Sequence, residues 1–193
     1  MLNRRALLQV LWIGCIALLC SLSALPPTGG LLGIAPAFAL GGTQPPLNQP
    51  APAFTLPTNV GNGEISLSDY QGKWVVVYFY PKDFTSGCTL EARRFQQDLP
   101  KYRDRNTEIL GISVDDVDSH AEFCDSEGLR FPLLADTDGS VSKAYGSWLG
   151  VASLRHTYIV DPQGILRERF LGVQPAVHSA EVLARLDELQ QEG

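Results

Sequence analysis

Hydrophobic and polar positions in this chain fall into two rhythms, and the changes from one to the other mark out its elements. Trp74-Val75-Val76-Val77-Tyr78-Phe79, continuing to Tyr80, is an unbroken run of β-branched and aromatic residues. Such a run reads as a strand buried on both faces. Glu108-Ile109-Leu110-Gly111-Ile112-Ser113-Val114 is a second buried strand, and Ala53-Phe54-Thr55-Leu56 a short first one. Ser66–Tyr70 reads as a turn or helix start, with Gly72-Lys73 leading into the Trp74 strand. Leu90, Phe95, Leu99 and Tyr102 recur at helical spacing and predict a helix from Thr85 onward, with one apolar face and a kink at Pro100. Ser119 is expected to cap a short helix, His120–Ser126, stopped by Gly128.

Leu129–Leu134 leads to a further short strand, and Gly139–Tyr145 reads as a helix entered through Asp136-Thr137-Asp138. His156–Val160 and Ile165–Phe170 are two strands around the turn Asp161-Pro162-Gln163-Gly164. A last helix runs from about Ala176 to Gln191, with Val182, Leu183, Leu186 and Leu189 on one side. Alternating strands and helices, then a hairpin and a helix, predict an α/β domain with a mixed central sheet flanked by helices. This domain is expected over residues 53–193. No internal repeat or low-complexity tract interrupts it.

The first 52 residues follow another pattern. Arg4 and Arg5 precede a long apolar run, Ala6 to Leu22, and Ala37-Phe38-Ala39 places small residues at the two cleavage-defining positions. Residues 1–39 therefore read as a signal peptide, cleaved after Ala39. The paired arginines suit the twin-arginine route but also open ordinary signals. Left uncleaved, the run is nearly long enough for a membrane anchor. Neither Cys15 nor Cys20 follows the small residues that lipid attachment needs. Residues 40–52, uncharged and rich in Pro and Gly, are expected to be a linker or an extended N-terminal arm.

Charge sharpens that division. Only 19% of the chain is charged, and Arg4 and Arg5 are the sole charges before Glu64. With those two set aside, 13 basic face 21 acidic residues, a formal −8 on the remainder. An acidic, mixed-sign surface argues against nucleic acid as a partner. No Cys-x-x-Cys occurs, and His120, His156 and His178 are scattered, so no metal site is supported. The three histidines read as structural or solvated rather than catalytic, and Trp74 and Trp148 as core or rim aromatics.

Chemistry concentrates in Tyr80-Pro81-Lys82-Asp83-Phe84-Thr85-Ser86-Gly87-Cys88-Thr89-Leu90-Glu91. Pro81 and the small polar residues stop the strand, and Thr85 or Ser86 can cap the helix that follows. Cys88 then falls at or near a helix N-terminus, where unpaired N–H groups and the helix dipole favour an anion. Thiols so placed favour the thiolate, the attacking form. A lone cysteine is more often a buried structural residue; the ordered strand, Pro turn, Thr and Cys favour a reactive one.

Pro81-x-x-x-Thr85-x-x-Cys88 resembles the active-site motif of the peroxiredoxins, thiol peroxidases on a thioredoxin-like fold, and its surroundings are similar to the Q, or bacterioferritin-comigratory, branch. The similarity runs from about Ala51 to the C-terminus. It implies that Cys88 is the peroxidatic nucleophile and passes through a sulfenic acid. Thr85 and the backbone N–H groups near Gly87 and Cys88 would orient the peroxide, and Pro81 would shield the thiolate. Arg155, ahead of Thr157-Tyr158, matches the family arginine, and Glu91, one turn after Cys88, is placed to hold it. The position five residues after Cys88, where many members carry a resolving cysteine, is Arg93. Cys124 fits the branch's other arrangement, resolving through an intramolecular disulfide after the Cys88 turn and the Cys124 helix partly unwind.

The resemblance further implies hydrogen peroxide and small organic hydroperoxides as substrates, a thioredoxin-like reductant, no cofactor and a monomer. With the leader, it implies an exported enzyme of the periplasm or a thylakoid lumen. Three other readings stay open. One is a single-cysteine peroxidase in which Cys124 is a buried thiol. Another is a non-catalytic thioredoxin-like binding module stapled by Cys88–Cys124. The third, a thiol–disulfide oxidoreductase, is disfavoured because Glu91 stands where its second cysteine belongs.

Overall fold

The computed structural model describes residues 41–60 and 63–192. The expected signal peptide, its cleavage point after Ala39, Cys15 and Cys20 lie outside the described residues.

Five strands form the central sheet, ordered β5-β4-β3-β6-β7. β3 (Trp74–Phe79) lies at its centre, parallel to β4 (Thr107–Ser113), which is parallel to β5 (Leu133–Ala135). On its other side β3 runs antiparallel to β6 (His156–Val160), which pairs antiparallel with β7 (Leu166–Leu171). The sheet is mixed, as the pattern predicted. β1 (Thr55–Pro57) is shifted toward the C-terminus of the expected strand, and it pairs with β2 (Glu64–Ser66), which the pattern did not reveal. Leu67–Tyr70 is a short 3-10 helix.

Because side chains alternate along a strand, β3 serves two cores. Val76, Tyr78 and Tyr80 enter one with Phe95, Leu99, Phe123, Leu186 and both Cys88 and Cys124. Val75, Val77 and Phe79 enter the other with Leu110, Ile112, Tyr145 and Tyr158. Helices α1 (Ser86–Arg103), α2 (Val117–Glu127) and α4 (His178–Gln191) cover the first face, and α3 (Ser140–Ala144) the second. Pro100 lies inside α1, which continues to Arg103.

Two caps differ from expectation. Thr85 holds the N-cap position of α1, but its hydroxyl caps nothing. α2 begins earlier than predicted, capped by the Asp116 carboxylate, which accepts from the Ser119 N–H at 2.9 Å. A Ser or Asp can fill that role, and Asp116 takes it because the Ser119 hydroxyl is engaged elsewhere. Gly128 ends α2 at φ 63°, the left-handed conformation that suits glycine.

Residues 41–52 form an arm rather than a free linker. The Asn48 N–H donates to the Leu166 carbonyl at 2.7 Å, and the Leu166 N–H to Gln49 at 2.9 Å. Leu47 and Ala51 pack against the second core. The arm also reaches the segment ahead of Arg155, where the Trp148 N–H donates to the Gly41 carbonyl at 3.2 Å. Among the described residues, no helix is long and apolar enough to cross a membrane.

Candidate active site

The antiparallel pairing of β3 with β6 brings Cys88 and Arg155 together. Tyr78 stands opposite Thr157, so continuing that register sets Arg155 level with Tyr80, at the point where the chain leaves the sheet for α1. The Gly172 and Val173 N–H groups both donate to the Arg155 carbonyl, at 2.9 and 3.2 Å, and fix its backbone.

Cys88 is 1% exposed. Its neighbours Thr85 and Ser86 are exposed, and Pro81, Gly87 and Arg155 are half-buried. The sulfur therefore lies just beneath the surface, in the first turn of α1. The Thr85 hydroxyl donates toward Sγ at 2.8 Å and toward the Lys82 carbonyl at 3.0 Å, sharing one proton between them. Arg155 Nη2 donates to Sγ at 3.2 Å, and Nη1 donates to Glu91 Oε2 at 2.6 Å. Charge-assisted bonds of this kind are the strong ones, and the rigid guanidinium fork makes both at once.

Glu91, although on the first turns of a helix, is buried rather than on its solvent face. Burial pushes its carboxyl up to about 7, with Arg155 pulling against that. Burial also works against the Arg155 charge, but Cys88 and Glu91 outweigh it and hold the guanidinium above its ordinary range. Glu91 Oε1 and the Tyr78 hydroxyl are buried without partners.

Gly87, expected only to lend a backbone N–H, also matters for its missing side chain, which the sequence pattern did not single out. A Cβ there would come within 2.8 Å of Arg155 Nη2, so any side chain at this position would press on the guanidinium that reaches the sulfur. Asp83, also not singled out, is buried and joins the Cys88 loop to α2. A clue to each was present: a glycine directly before the proposed nucleophile, and an acid in the turn of the motif.

Cys88 and Cys124 are both buried and both free in this structure. Burial pushes the Cys124 thiol up to about 11, and the Asn59 side chain from the β1–β2 turn only partly offsets this. In this conformation Cys124 is a poor nucleophile, since the thiolate is the form that attacks. His120, His156 and His178 are all buried, so the structural reading holds for them and the solvated one does not. Trp74 and Trp148 are partly exposed, at the rim. Among the described residues, no three His, Cys, Asp or Glu side chains cluster as a metal would require.

Comparison with known proteins gives the family. Residues 47–169 match the AhpC/TSA family. Peroxiredoxin Bcp of Xanthomonas campestris is 38% identical, over 72% of this chain and 93% of its own length. The putative peroxiredoxin bcp of Coxiella burnetii is also 38% identical, over 72% of this chain and 97% of its own. The mitochondrial thioredoxin-dependent peroxide reductase of Drosophila melanogaster is 39% identical, and this chain spans 64% of it, just under two thirds. Among solved structures, a cysteine-to-serine mutant of Xylella fastidiosa PrxQ superposes with a TM-score of 0.72 at 31% identity, covering 77% of this chain and 99% of that one. The Xanthomonas campestris bacterioferritin comigratory protein, studied for its alkyl peroxide reduction, superposes with a TM-score of 0.67 at 32% identity, covering 70% and 90%. The fold is thus thioredoxin-like, and the chain belongs to the AhpC/TSA family, as a peroxiredoxin of the Bcp, or Q, type.

Proposed function

We propose that Cys88 reduces hydrogen peroxide and small organic hydroperoxides in a cycle closed by Cys124. The Cys88 thiolate attacks one peroxide oxygen; the S–O bond forms, the O–O bond breaks, and the departing oxygen takes a proton to leave as water or an alcohol. Cys88 is then a sulfenic acid. Thr85 and Arg155 hold the reacting sulfur and stand where negative charge moves from sulfur to the leaving oxygen. Preorganised donors of this sort usually accelerate a reaction more than any other single effect. Pro81 covers the sulfur and does no proton chemistry, and Glu91 keeps Arg155 in line.

The Cys124 thiolate next attacks the Cys88 sulfur, forming the S–S bond and releasing the hydroxyl as water. A thioredoxin-like dithiol restores both thiols by exchange. The elevated Cys124 thiol supports a rearrangement before that step, because burial must be relieved for the thiolate to form. No cofactor is needed. The residue pattern of the first 39 positions supports export to a periplasm or thylakoid lumen, with a membrane anchor if the leader is retained. We propose a monomer in that compartment.

One observation carries the reading: Arg155 and Thr85 both donate to the same sulfur, at 3.2 and 2.8 Å. Peroxide consumption with dithiothreitol as reductant tests it. The unsubstituted chain is expected to consume peroxide catalytically and Cys88→Ser to stop. Equal consumption by the two would end the proposal.

A further inference from the structure

Asp83 lies in the loop between Pro81 and Cys88 and is 3% exposed. Its Oδ1 accepts from the Tyr80 hydroxyl at 2.7 Å. Its Oδ2 accepts from the Ser119 hydroxyl at 2.8 Å and from His120 Nδ1, also at 2.8 Å. The Asp83 N–H donates to Asp115 Oδ2 at 2.8 Å, and that oxygen also accepts from the Ser113 hydroxyl at 2.7 Å. Burial alone would raise the Asp83 carboxyl, but the His120, Tyr80 and Ser119 donors outweigh it and hold the group below its ordinary range. A buried carboxylate this fully satisfied is rigid, and costly to pull apart.

The next residue grips the same helix by other means. Phe84 has φ 59°, a conformation that bulky residues avoid. Although 52% exposed, its ring meets that of Phe123 edge-on at 5.1 Å. The left-handed turn lets two consecutive residues contact α2, one through polar atoms and one through an aromatic face. Ser119, His120 and Phe123 are the residues gripped, and Cys124 follows directly. Asp83 and Phe84, for their part, directly precede the Thr85–Cys88 turn.

We propose that Asp83 and Phe84, with Ser119, His120 and Phe123, form a clamp that holds the Cys88 loop on the Cys124 helix and sets the fate of the sulfenic acid. The proposal rests on the reading that Cys124 resolves. With the clamp closed, the two sulfurs stay apart, and a second peroxide can oxidise Cys88 further: a second S–O bond forms, an O–O bond breaks, and sulfinic acid and water result. With it open, Cys124 reaches Cys88, the S–S bond forms, and the hydroxyl leaves as water. These five are positioning residues; the side-chain donors to the Cys88 sulfur are Thr85 and Arg155.

Ser119→Ala removes one donor and leaves Asp83 with the others. After one equivalent of peroxide, its Cys88–Cys124 disulfide should form about fivefold faster than in the parent, the loss of one hydrogen bond. The sulfinic acid fraction at excess peroxide, read by mass spectrometry, should fall, while the first oxidation of Cys88 keeps its rate. Ser119→Thr, which restores the hydroxyl, should return both quantities to parental values, and Phe123→Leu should act in the direction of Ser119→Ala. Unchanged or slower disulfide formation in both Ser119→Ala and Phe123→Leu overturns the clamp alone. A parent chain that forms no such disulfide overturns the resolving role of Cys124 and the clamp with it, and does so without any clamp variant.

Discussion

A single guanidinium joins the parts of this site, because Arg155 directs one nitrogen to the Cys88 sulfur and the other to Glu91. Cys88, Thr85 and Pro81 were legible as a compact motif, since the strand, the turn and the helix start are neighbours in sequence. Arg155 was legible only through the family resemblance of the strand opening it precedes. The need for a glycine at position 87 was not, because it arises from the close approach of a side chain remote in sequence. Gly87→Ala tests that approach. The new Cβ would sit 2.8 Å from Nη2, and a retreat of the guanidinium from it would strain the bonds to Cys88 and Glu91. The second-order rate with hydrogen peroxide should fall about 10²-fold, the scale of an ångström-sized misplacement. Thermal stability should hold, because alanine is the better helix former. A variant as fast as the parent would show that Arg155 contributes little to the reaction.

The elements were readable where the apolar period was long. β3 and α1 were placed to within a residue or so, because tertiary packing and local pattern agree there. β2 was missed because Glu64-Ile65-Ser66 is too short to carry a period. The α2 cap was misassigned because two adequate cap residues lie close together, and the competing bond from Ser119 to Asp83 is a tertiary contact. α4 gives the element-scale prediction. Its first residue, His178, is buried between Phe95 and Phe170, with Nε2 2.7 Å from the Thr157 hydroxyl of β6. The exposed Glu181 carboxylate lies 3.7 Å from Nδ1. Burial pushes this imidazole down to about 4, from an ordinary 6.5. Between those values the unfolded chain binds a proton that the folded chain refuses, so the contribution is intact above pH 6.5 and lost as pH falls toward 4. Urea unfolding at about pH 7.5 and about pH 4.5 should show the parent losing about 2–3 kcal/mol more than His178→Gln. Equal losses would mean that His178 is not held neutral.

At the scale of the molecule, the mixed sheet puts a parallel strand on one side of β3 and an antiparallel one on the other. That arrangement lets the β3–α1 turn meet the start of β6, so topology assembles the site. The sequence pattern conveyed the order of the elements but left open whether residues 40–52 are linker or arm, because the hydrogen bonds that tie the segment to β7 and the Trp148 segment run between backbone atoms and leave no residue pattern. A chain beginning at Leu40 should therefore melt about 5 °C or more above one beginning at Ala53, and equal melting temperatures would return the segment to a free linker. The central claim is that the Cys88 sulfur is the atom that peroxide oxidises. Its most direct test is mass spectrometry of Cys124→Ser after one equivalent of hydrogen peroxide in the presence of dimedone, which traps sulfenic acids. The account predicts one dimedone adduct, on Cys88, and a protein without that adduct would contradict it.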